Sequence, residues 1–383
     1  MIARRHLVSL ALTAVLTAAA SQVHERRTAA RPGDPGPPAA RTFTLVASGD
    51  VLPHTSILDR ARFDAGGSGY DFRPMLQGAQ PLVSGADIAL CHLETVHGAN
   101  GRQSGRPRFT SPPPQLAVAL ATTGYDSCST ASHHSLADGA DGIRHTLDAL
   151  DSAGVRHAGT ARAPAEATTV TLLHAGPAKV AHLAYTYDTN GLPLPEGQPW
   201  AVNRIDENRI LADARAARAA GADVVVLSLH WGTEWQDAPD DLQITLARSL
   251  TASRTHGRPD IDLVLGTHTH VPQAYEKVNG TWVVYGMGDQ IAGEMSDRRG
   301  VLDPRGNQSG VARFTFTAPA RPGDRWEVTR AAFVPMMFDV DAGRIVNLGK
   351  ALAAGADVRG VRDRIRDVVF SRGAAKDGLV MGE

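Results

Sequence analysis

Residues 261–270 join a short apolar run to a pair of histidines, and this pattern limits the possible folds more than any other. The run 261–265 has the composition of a buried strand. Gly266 is expected to break that strand and to let the backbone turn. His268 and His270 follow two positions apart, and in an extended segment such side chains share a face. The two imidazoles can then bind one metal ion or two adjacent ions; the alternative is a pair of exposed loop histidines.

Four other apolar runs also end in carboxylates or histidines. In chain order these ends carry Asp50, Glu94, His133 with His134, and His230. His92 stands two positions before Glu94, so these two side chains are also expected to share a face. The run 223–230 is rich in Val and Leu, which suits a strand covered on both faces. Sites in open α/β sheets form at the carboxyl ends of strands, so we predict an α/β fold whose strand ends converge on one pocket.

The donors of this predicted pocket are oxygen and nitrogen atoms without thiolates. Two carboxylates and as many as five imidazoles suit Mn, Zn or Fe, and they suffice for two divalent ions that share a carboxylate. The chain lacks the Gly-x-Ser-x-Gly motif of serine hydrolases and the Gly-x-x-x-x-Gly-Lys phosphate loop. The pattern therefore favours metal-dependent hydrolysis, with a structural domain that keeps a relict histidine cluster as an alternative.

Apolar periodicity and turn residues predict alternating strands and helices along most of the chain. The predicted strands are 42–50, 86–94, 125–130, 155–158, 223–230, 261–265, 311–317 and 326–338, with hairpins at 168–186 and 273–285. The predicted helices are 72–83, 115–122, 141–153, 203–220, 240–253 and 361–370.

The start of the chain has the features of a secretory signal peptide. A basic flank, an uncharged run and small residues predict a signal at 1–21, with an uncleaved N-terminal anchor as the alternative. Arg-, Pro- and Gly-rich residues 22–40 predict a disordered linker. A domain at 41–340 and a partly helical C-terminal extension at 341–383 complete the predicted organisation. We therefore expect a secreted or extracytoplasmic protein.

Charge and cysteine content narrow the class of protein further. The 383 residues carry a formal net charge of −1, which excludes a nucleic-acid binder because such proteins need a basic excess. Two cysteines occur, Cys91 and Cys128, each inside an apolar run. They either form one disulfide between neighbouring strands in an oxidising compartment or remain as two buried thiols.

The ordered motifs resemble those of the CapA family, named for poly-gamma-glutamate capsule synthesis, between about residues 43 and 292. The matching motifs are Gly49 with Asp50, Leu93 with Glu94, residues 131–134, residues 230–234, and residues 266–270. The resemblance implies a metallophosphoesterase-like two-sheet sandwich flanked by helices, in α-β-β-α layers. It also implies that Asp50, Glu94, His230, His268 and His270 are metal ligands, with Glu94 bridging two ions, and that His134 is a general acid.

The chain departs from this family pattern at several positions. His133 stands where the family usually has an asparagine ligand, and its imidazole can still bind a metal. Asp289 stands where asparagine is usual, and Thr267 and Thr269 replace other residues around the two histidines. His54 resembles a displaced histidine of the phosphoesterase Asp-x-His motif. We therefore treat His54, Glu234 and Asp289 as accessory site residues.

Two functions are compatible with this resemblance. The first is a metal-dependent hydrolase of a phosphoester or an amide, linked to the synthesis of poly-gamma-glutamate or capsule. The alternative is a non-catalytic assembly or export factor for a polyglutamate-type polymer. The resemblance implies an anionic polymer or a phosphoester as substrate, and components of a membrane polyglutamate synthase as partners.

Overall fold

The computed structural model describes residues 41–96, 112–297, 299–321 and 323–383 as a series of strands and helices. The signal peptide predicted at 1–21 and the linker predicted at 22–40 lie outside the described residues. The strands are β1 (Thr42–Val51), β2 (Ile88–Leu93), β3 (Ser127–Ser129), β4 (Arg156–Ala158), β5 (Thr171–Ala175), β6 (Ala178–Thr186), β7 (Val224–His230), β8 (Arg254–Thr255), β9 (Arg258–Pro259), β10 (Leu263–Thr267), β11 (Tyr275–Val278), β12 (Thr281–Val284), β13 (Asp289–Ile291), β14 (Gln308–Thr317), β15 (Glu327–Asp339), β16 (Arg344–Asn347) and β17 (Leu379–Met381). The helices are α1 (Thr55–Asp64), α2 (Arg73–Leu76), α3 (Gln80–Val83), α4 (Gln115–Thr123), α5 (Gly139–Ala153), α6 (Pro164–Ala167), α7 (Glu207–Ala219), α8 (Asp241–Ala252), α9 (Leu348–Ala353) and α10 (Arg359–Phe370).

Two large sheets carry most of these strands. The first has the order β16-β15-β14-β1-β2-β3-β4, with β13 paired to β1 and β17 paired to β15. Strands β1 to β4 are parallel, whereas β14, β15 and β16 continue the sheet in antiparallel fashion. The second sheet has the order β11-β12-β10-β7-β6-β5, and β6, β7, β10 and β12 are parallel. In each sheet, therefore, the carboxyl ends of several parallel strands lie along the same edge.

Strand β7 shows how the sequence pattern builds the layers. All of its residues are buried, and successive side chains face opposite sides of the sheet. Val224 and Val226 join the core between the two sheets, together with Leu45 and Leu90 of the first sheet. Val225 belongs instead to the outer core, where α7 and α8 cover the second sheet.

Helices also cover the outer face of the first sheet, where residues of α1 to α5 form a third core. The molecule is thus a two-sheet sandwich with outer helix layers, which confirms the predicted α-β-β-α fold class. The segment 341–383 adds β16 and β17 to the first sheet, and Ile365 and Val369 of α10 join the core between the sheets. Among the described residues, no helix is both long enough and apolar enough to cross a membrane.

The helical segment predicted at 72–83 is interrupted, because it consists of two short helices, α2 and α3. Gly78 lies between them, and a Cβ atom there would be 1.9 Å from the carbonyl oxygen of Ile345. This close approach to β16 comes from a residue more than 250 positions away in the chain, so local periodicity could not predict it. The sequence analysis also did not predict the elements α1, α6, α9, β8, β9, β13, β16 and β17.

The expected break of the strand at Gly266 is also wrong, since β10 continues to Thr267. A Cβ atom at Gly266 would lie 1.9 Å from the carbonyl oxygen of Tyr285, so glycine allows close packing of backbones there. The turn comes later, where His268 has a φ of 91° and His270 a φ of 59°. The two histidines therefore converge through a left-handed turn, and the argument from extended backbone does not apply to them.

Cys91 and Cys128 lie opposite each other on the neighbouring strands β2 and β3. Their Cα atoms are 4.4 Å apart and their side chains form a disulfide. Of the two alternatives that the sequence left open, the structure contains the bridge.

Candidate metal centre

Nine side chains meet where the carboxyl ends of β1, β2, β7 and β10 lie together. Their donor atoms form four overlapping groups, in each of which the atoms lie within 4.8 Å of one another. The groups are His133, His230 and His268; Asp50, His92 and His230; Glu94, His133 and His134; and Asp50, Glu94, His270 and Asp289. All nine residues are buried.

Asp50, on β1 of the first sheet, connects this sheet to the segment that follows β10 of the second sheet. Its Oδ2 accepts a hydrogen bond from the backbone N–H of His268 at 3.1 Å. A Cβ atom at Gly49 would be 1.7 Å from the carbonyl oxygen of Gly288, so the glycine lets β1 approach the segment before β13. This approach places Asp50 beside Asp289, its register partner.

Three imidazoles from different segments form one face of the centre. Nδ1 of His133 lies 2.7 Å from Nε2 of His230, and Nδ1 of His230 lies 3.1 Å from the Thr267 hydroxyl oxygen. The ring centroids of His230 and His268 are 4.6 Å apart. Nitrogen atoms gathered in this way suit a shared divalent ion, since neutral imidazole is a common metal ligand.

The carboxylate of Glu94 lies close to two histidines, His133 and His134. Oε1 of Glu94 lies 3.7 Å from Nδ1 of His133 and 3.7 Å from Nε2 of His134. Neither distance is a hydrogen bond, and both carboxylate oxygens are buried without a hydrogen-bond partner.

His270 is oriented by a carboxylate, because its Nδ1 lies 3.0 Å from Oδ1 of Asp289. In the neutral ring, an Nδ1–H that donates to Asp289 leaves the lone pair on Nε2. This arrangement of carboxylate and imidazole is the one that commonly supports metal-bound histidines. Asp289, predicted as an accessory residue, thus contacts a predicted ligand directly.

Burial and mutual repulsion change the acidity of these carboxyls. Burial raises the pKa of Asp50 to about 8, and the Asp289 carboxyl adds to this rise. Burial likewise raises the pKa of Glu94 well above its usual value. Burial lowers the pKa of His270, but Asp289, Glu94 and Asp50 outweigh that effect and raise it well above normal. The cluster of carboxyls therefore needs protons or a cation to neutralise it.

Burial has the opposite effect on the surrounding imidazoles. It lowers the pKa of His133 and His230 well below the usual value, and neighbouring histidines lower it further. Burial also lowers the pKa of His92, to about 3. These rings are therefore neutral near pH 7 and offer lone pairs rather than charge.

Several buried polar atoms of the centre have no hydrogen-bond partner. These atoms are Asp50 Oδ1, His92 Nε2, both carboxylate oxygens of Glu94 and Asp289 Oδ2. Buried polar groups are normally paired, so such a concentration indicates a missing ligand. The donors are oxygen and nitrogen atoms from carboxylates and imidazoles, which fit divalent metal ions.

A cavity of about 420 Å³ opens beside the donors and gives them access to a substrate. His133, His134 and His270 line it together with the predicted accessory residues His54 and Glu234. Nδ1 of His54 donates to the carbonyl oxygen of Ala292 at 2.9 Å. His54 and Glu234 belong to none of the four donor groups, so the structure places them on the cavity wall.

The structure brings the predicted residues Asp50, Glu94, His133, His134, His230, His268, His270 and Asp289 together in the donor groups. His92 also lies there, although the sequence did not single it out as a ligand. The signal was its position two residues before Glu94 on a buried strand. The alternation of side chains predicted that His92 and Glu94 share a face of the strand. It did not predict that this face would lie against Asp50 of β1.

Two curated proteins are similar to this chain in sequence. The "Probable polyglutamine synthesis accessory protein" of Mycobacterium tuberculosis is 28% identical over 222 residues, covering 54% of this chain and 55% of that protein. The "PGA biosynthesis protein CapA" of Bacillus subtilis is 22% identical over 221 residues, covering 57% of this chain and 56% of that protein. This chain thus spans about half the length of the curated relatives it matches.

A solved structure with a similar fold is the "Putative 5'-Nucleotidase" of Staphylococcus aureus in complex with alpha-ketoglutarate. It shares 13% sequence identity and a TM-score of 0.50, over 85% of this chain and 58% of that chain. At this identity the similarity concerns the fold alone, and the predicted metallophosphoesterase-like fold is confirmed. The sequence model of the family described as "Bacterial capsule synthesis protein PGA_cap" matches residues 44–294. Because this match covers more than half of the chain, the protein belongs to the PGA_cap family of bacterial capsule synthesis proteins.

Proposed function

We propose that this protein is an extracytoplasmic metal-dependent hydrolase that cleaves a phosphoester or an amide bond during synthesis of a polyglutamate-type capsule polymer. The observation that carries this proposal is the group of buried, unpaired oxygen and nitrogen atoms beside the 420 Å³ cavity. Such atoms are costly to bury unless a ligand satisfies them. A site of this kind that also opens to a cavity suits catalysis better than a closed structural metal site.

The proposed ligands are Asp50, Glu94, His133, His230, His268 and His270, and two divalent ions, Mn, Zn or Fe, are the proposed cofactors. Bound divalent ions supply Lewis acidity, which activates water and stabilises the negative charge of the transition state. The Asp289 carboxylate lies 3.0 Å from Nδ1 of His270 and orients this ring, which in its neutral form would carry the lone pair on Nε2. Because burial lowers the pKa values of His133 and His230, these two imidazoles are neutral near pH 7 and their lone pairs are available.

His134 is the proposed general acid. The side-chain amide of Asn190 lies 3.4 Å from Nδ1 of His134 and can donate to it. With Nδ1 as acceptor, the proton of the neutral ring is on Nε2, the nitrogen that lies 3.7 Å from Glu94. His134 also lines the cavity, so this proton can be transferred to the leaving group of a bound substrate.

The extracytoplasmic location draws support from two features. The predicted signal peptide at 1–21 would direct export, with retention by an uncleaved anchor as the alternative. The Cys91–Cys128 disulfide is typical of proteins that fold in an oxidising compartment.

A second candidate function is a non-catalytic assembly or export factor for a polyglutamate-type polymer. The names of the relatives favour it, since one is described as an accessory protein of polymer synthesis. In that role the centre would bind metal and an anionic polymer, and the partners would be components of a membrane polyglutamate synthase. One fold can support many different functions, so the fold does not decide between these two.

Elemental analysis combined with an assay tests the proposal. We would compare the purified protein with His268→Ala and with His256→Ala, which changes an exposed histidine. Each sample would be tested with added Mn on a phosphodiester and on short polyglutamate. We expect metal and turnover in the wild type and in His256→Ala, and loss of both in His268→Ala. Metal without turnover on either substrate would favour the assembly function, and absence of metal from the wild type would contradict the metal centre itself.

A further inference from the structure

Two fully buried histidines occupy similar positions between the sheets but have different surroundings. His182 on β6 is hydrogen-bonded at both nitrogens, with Nδ1 2.9 Å from the Ser127 hydroxyl and Nε2 3.0 Å from the Ser228 hydroxyl. His92 on β2 is hydrogen-bonded only at Nδ1, which lies 2.6 Å from the Ser129 hydroxyl. Its Nε2 is buried without a hydrogen-bond partner. His182 is thus a satisfied core residue, whereas His92 has one unused nitrogen.

The hydrogen bonds around Ser129 determine which nitrogen of His92 carries the proton. A serine hydroxyl has a single proton, and the Ser129 hydroxyl donates it to the Cys91 carbonyl oxygen at 3.4 Å. Ser129 then accepts from Nδ1–H of His92, and the lone pair is left on Nε2. A hydrogen-bonded outer nitrogen and a free inner nitrogen are the usual state of a histidine that binds a metal.

The unused nitrogen of His92 points toward other donors. Nε2 lies 3.4 Å from Oδ1 of Asp50, which is itself buried without a hydrogen-bond partner. The His92 ring stacks on the His230 ring, with 4.7 Å between centroids. Donor atoms of Asp50, His92 and His230 lie within 4.8 Å of one another. One ion bound by these atoms would satisfy both unpaired atoms together.

We propose that His92 is a further metal ligand, which forms with Asp50 and His230 a subsite of two imidazoles and one carboxylate. This inference rests on the proposed metal centre and adds a ligand that neither the motif resemblance nor the proposed set contains. Two nitrogen donors favour Zn, Fe or Co over Mg or Ca, which prefer oxygen ligands. Ser129 is then a positioning residue, since it contacts the imidazole and not the metal.

Titration with Co²⁺ tests the proposal without relying on activity. The visible absorption spectrum of bound Co²⁺ depends on its ligands, so the titration reports both the affinity and the ligand set. The metal-free full chain would be compared with His92→Ala, Ser129→Ala and the control His182→Asn, after circular dichroism has shown which variants fold. We expect His92→Ala to weaken Co²⁺ binding by about 100-fold or more and to change the spectrum, and Ser129→Ala to weaken it by about 10-fold, as for a lost outer partner. His182→Asn should bind as the wild type does.

The outcomes separate this inference from the proposed function. If the wild type binds Co²⁺ and a folded His92→Ala variant keeps its affinity and spectrum, His92 is not a ligand and the metal centre still stands. If the wild type binds no Co²⁺, the proposed metal centre fails, and the His92 ligand fails with it. If His92→Ala does not fold, Ser129→Ala decides: unchanged affinity and spectrum overturn the inference, and weaker binding supports it.

Discussion

Asp50 and Asp289 lie opposite each other on the parallel strands β1 and β13, and both carboxyls are fully buried. Burial raises the pKa of Asp50 to about 8, and the nearby Asp289 carboxylate contributes because it makes ionisation of Asp50 less favourable. The pair lies 239 positions apart in the sequence and meets where Gly49, which has no Cβ atom, allows β1 to touch the backbone of Gly288. The metal-free centre therefore binds protons that a divalent cation would displace.

The stability of the metal-free protein should fall as the pH rises from 7 to 9. In this range the unfolded chain has ionised carboxyls and largely neutral histidines, whereas Asp50 in the folded chain loses its proton only as the pH passes its raised pKa of about 8. The raised pKa values of Glu94 and His270 act in the same direction. The folded state binds more protons, so the free energy of unfolding decreases as the pH passes through the raised pKa of Asp50, by on the order of 1 kcal/mol per pH unit for each extra proton bound. Urea unfolding with a chelator present would measure it. Stability that rises over the same range would contradict the assigned pKa shifts, and saturating metal should flatten the dependence.

Asp289→Asn should have opposite effects on stability and on metal binding. Removing the charge lowers the pKa of Asp50 and so reduces the loss of stability between pH 7 and 9. The His270 ring loses its carboxylate partner, which should weaken metal binding by about 10-fold or more. Calorimetric titration and urea unfolding would measure the two effects. Asp59→Asn, at an exposed ion pair, is the control and should change neither; metal affinity that is equal in both variants would argue against the role assigned to Asp289.

Gly49→Ala should damage both the fold and the centre. The added Cβ would lie 1.7 Å from the Gly288 carbonyl oxygen, so β1 must move away from the segment that leads to Asp289. Overpacking of this kind costs about 1–3 kcal/mol of unfolding free energy. Gly360→Ala in α10 is a matched control, since nothing lies within 4 Å of a Cβ there. Chemical unfolding and elemental analysis would compare them, and a stable, metal-loaded Gly49→Ala protein would show that the contact is dispensable.

Replacing both Cys91 and Cys128 by alanine should destabilise the protein. The bridge closes a loop with a sequence separation of 37, for which the chain-entropy model gives about 4 kcal/mol. Alkylation of the unfolded, unreduced protein followed by mass spectrometry would first show whether the native thiols are blocked. Two alkylated thiols in protein recovered from its native compartment would contradict both the bridge and the export inferred from it.

His134→Asn should slow turnover according to the leaving group of the substrate. A general acid contributes about 10²- to 10⁴-fold, and its contribution is greatest for a basic leaving group. The loss should therefore be large for an alkyl phosphodiester and small for a nitrophenyl phosphodiester, with metal content unchanged. Steady-state kinetics on the two substrates would measure this ratio. Equal losses on both would indicate that His134 orients metal or substrate and does not transfer the proton.

Most of the strands and helices could be predicted from the sequence, because each has its own pattern of apolar and polar residues. The run 223–230 predicted a strand covered on both faces, and β7 has that position. The polar ends of the apolar runs predicted where the site would form, and those residues do converge. The physical reason is that side-chain alternation and helical periodicity are local, so they are visible without knowledge of the partners.

Tertiary structure alone decided the pairings within the site. His92 and His182 look alike in sequence, each inside an apolar run, yet Ser127 and Ser228 satisfy the second and leave no donor for a metal. The left-handed backbone of His268 and the packing of Gly266 against Tyr285 also depend on distant segments. Local patterns specify which face of an element is buried, whereas the atoms that meet on that face are set by packing between strands far apart in the chain.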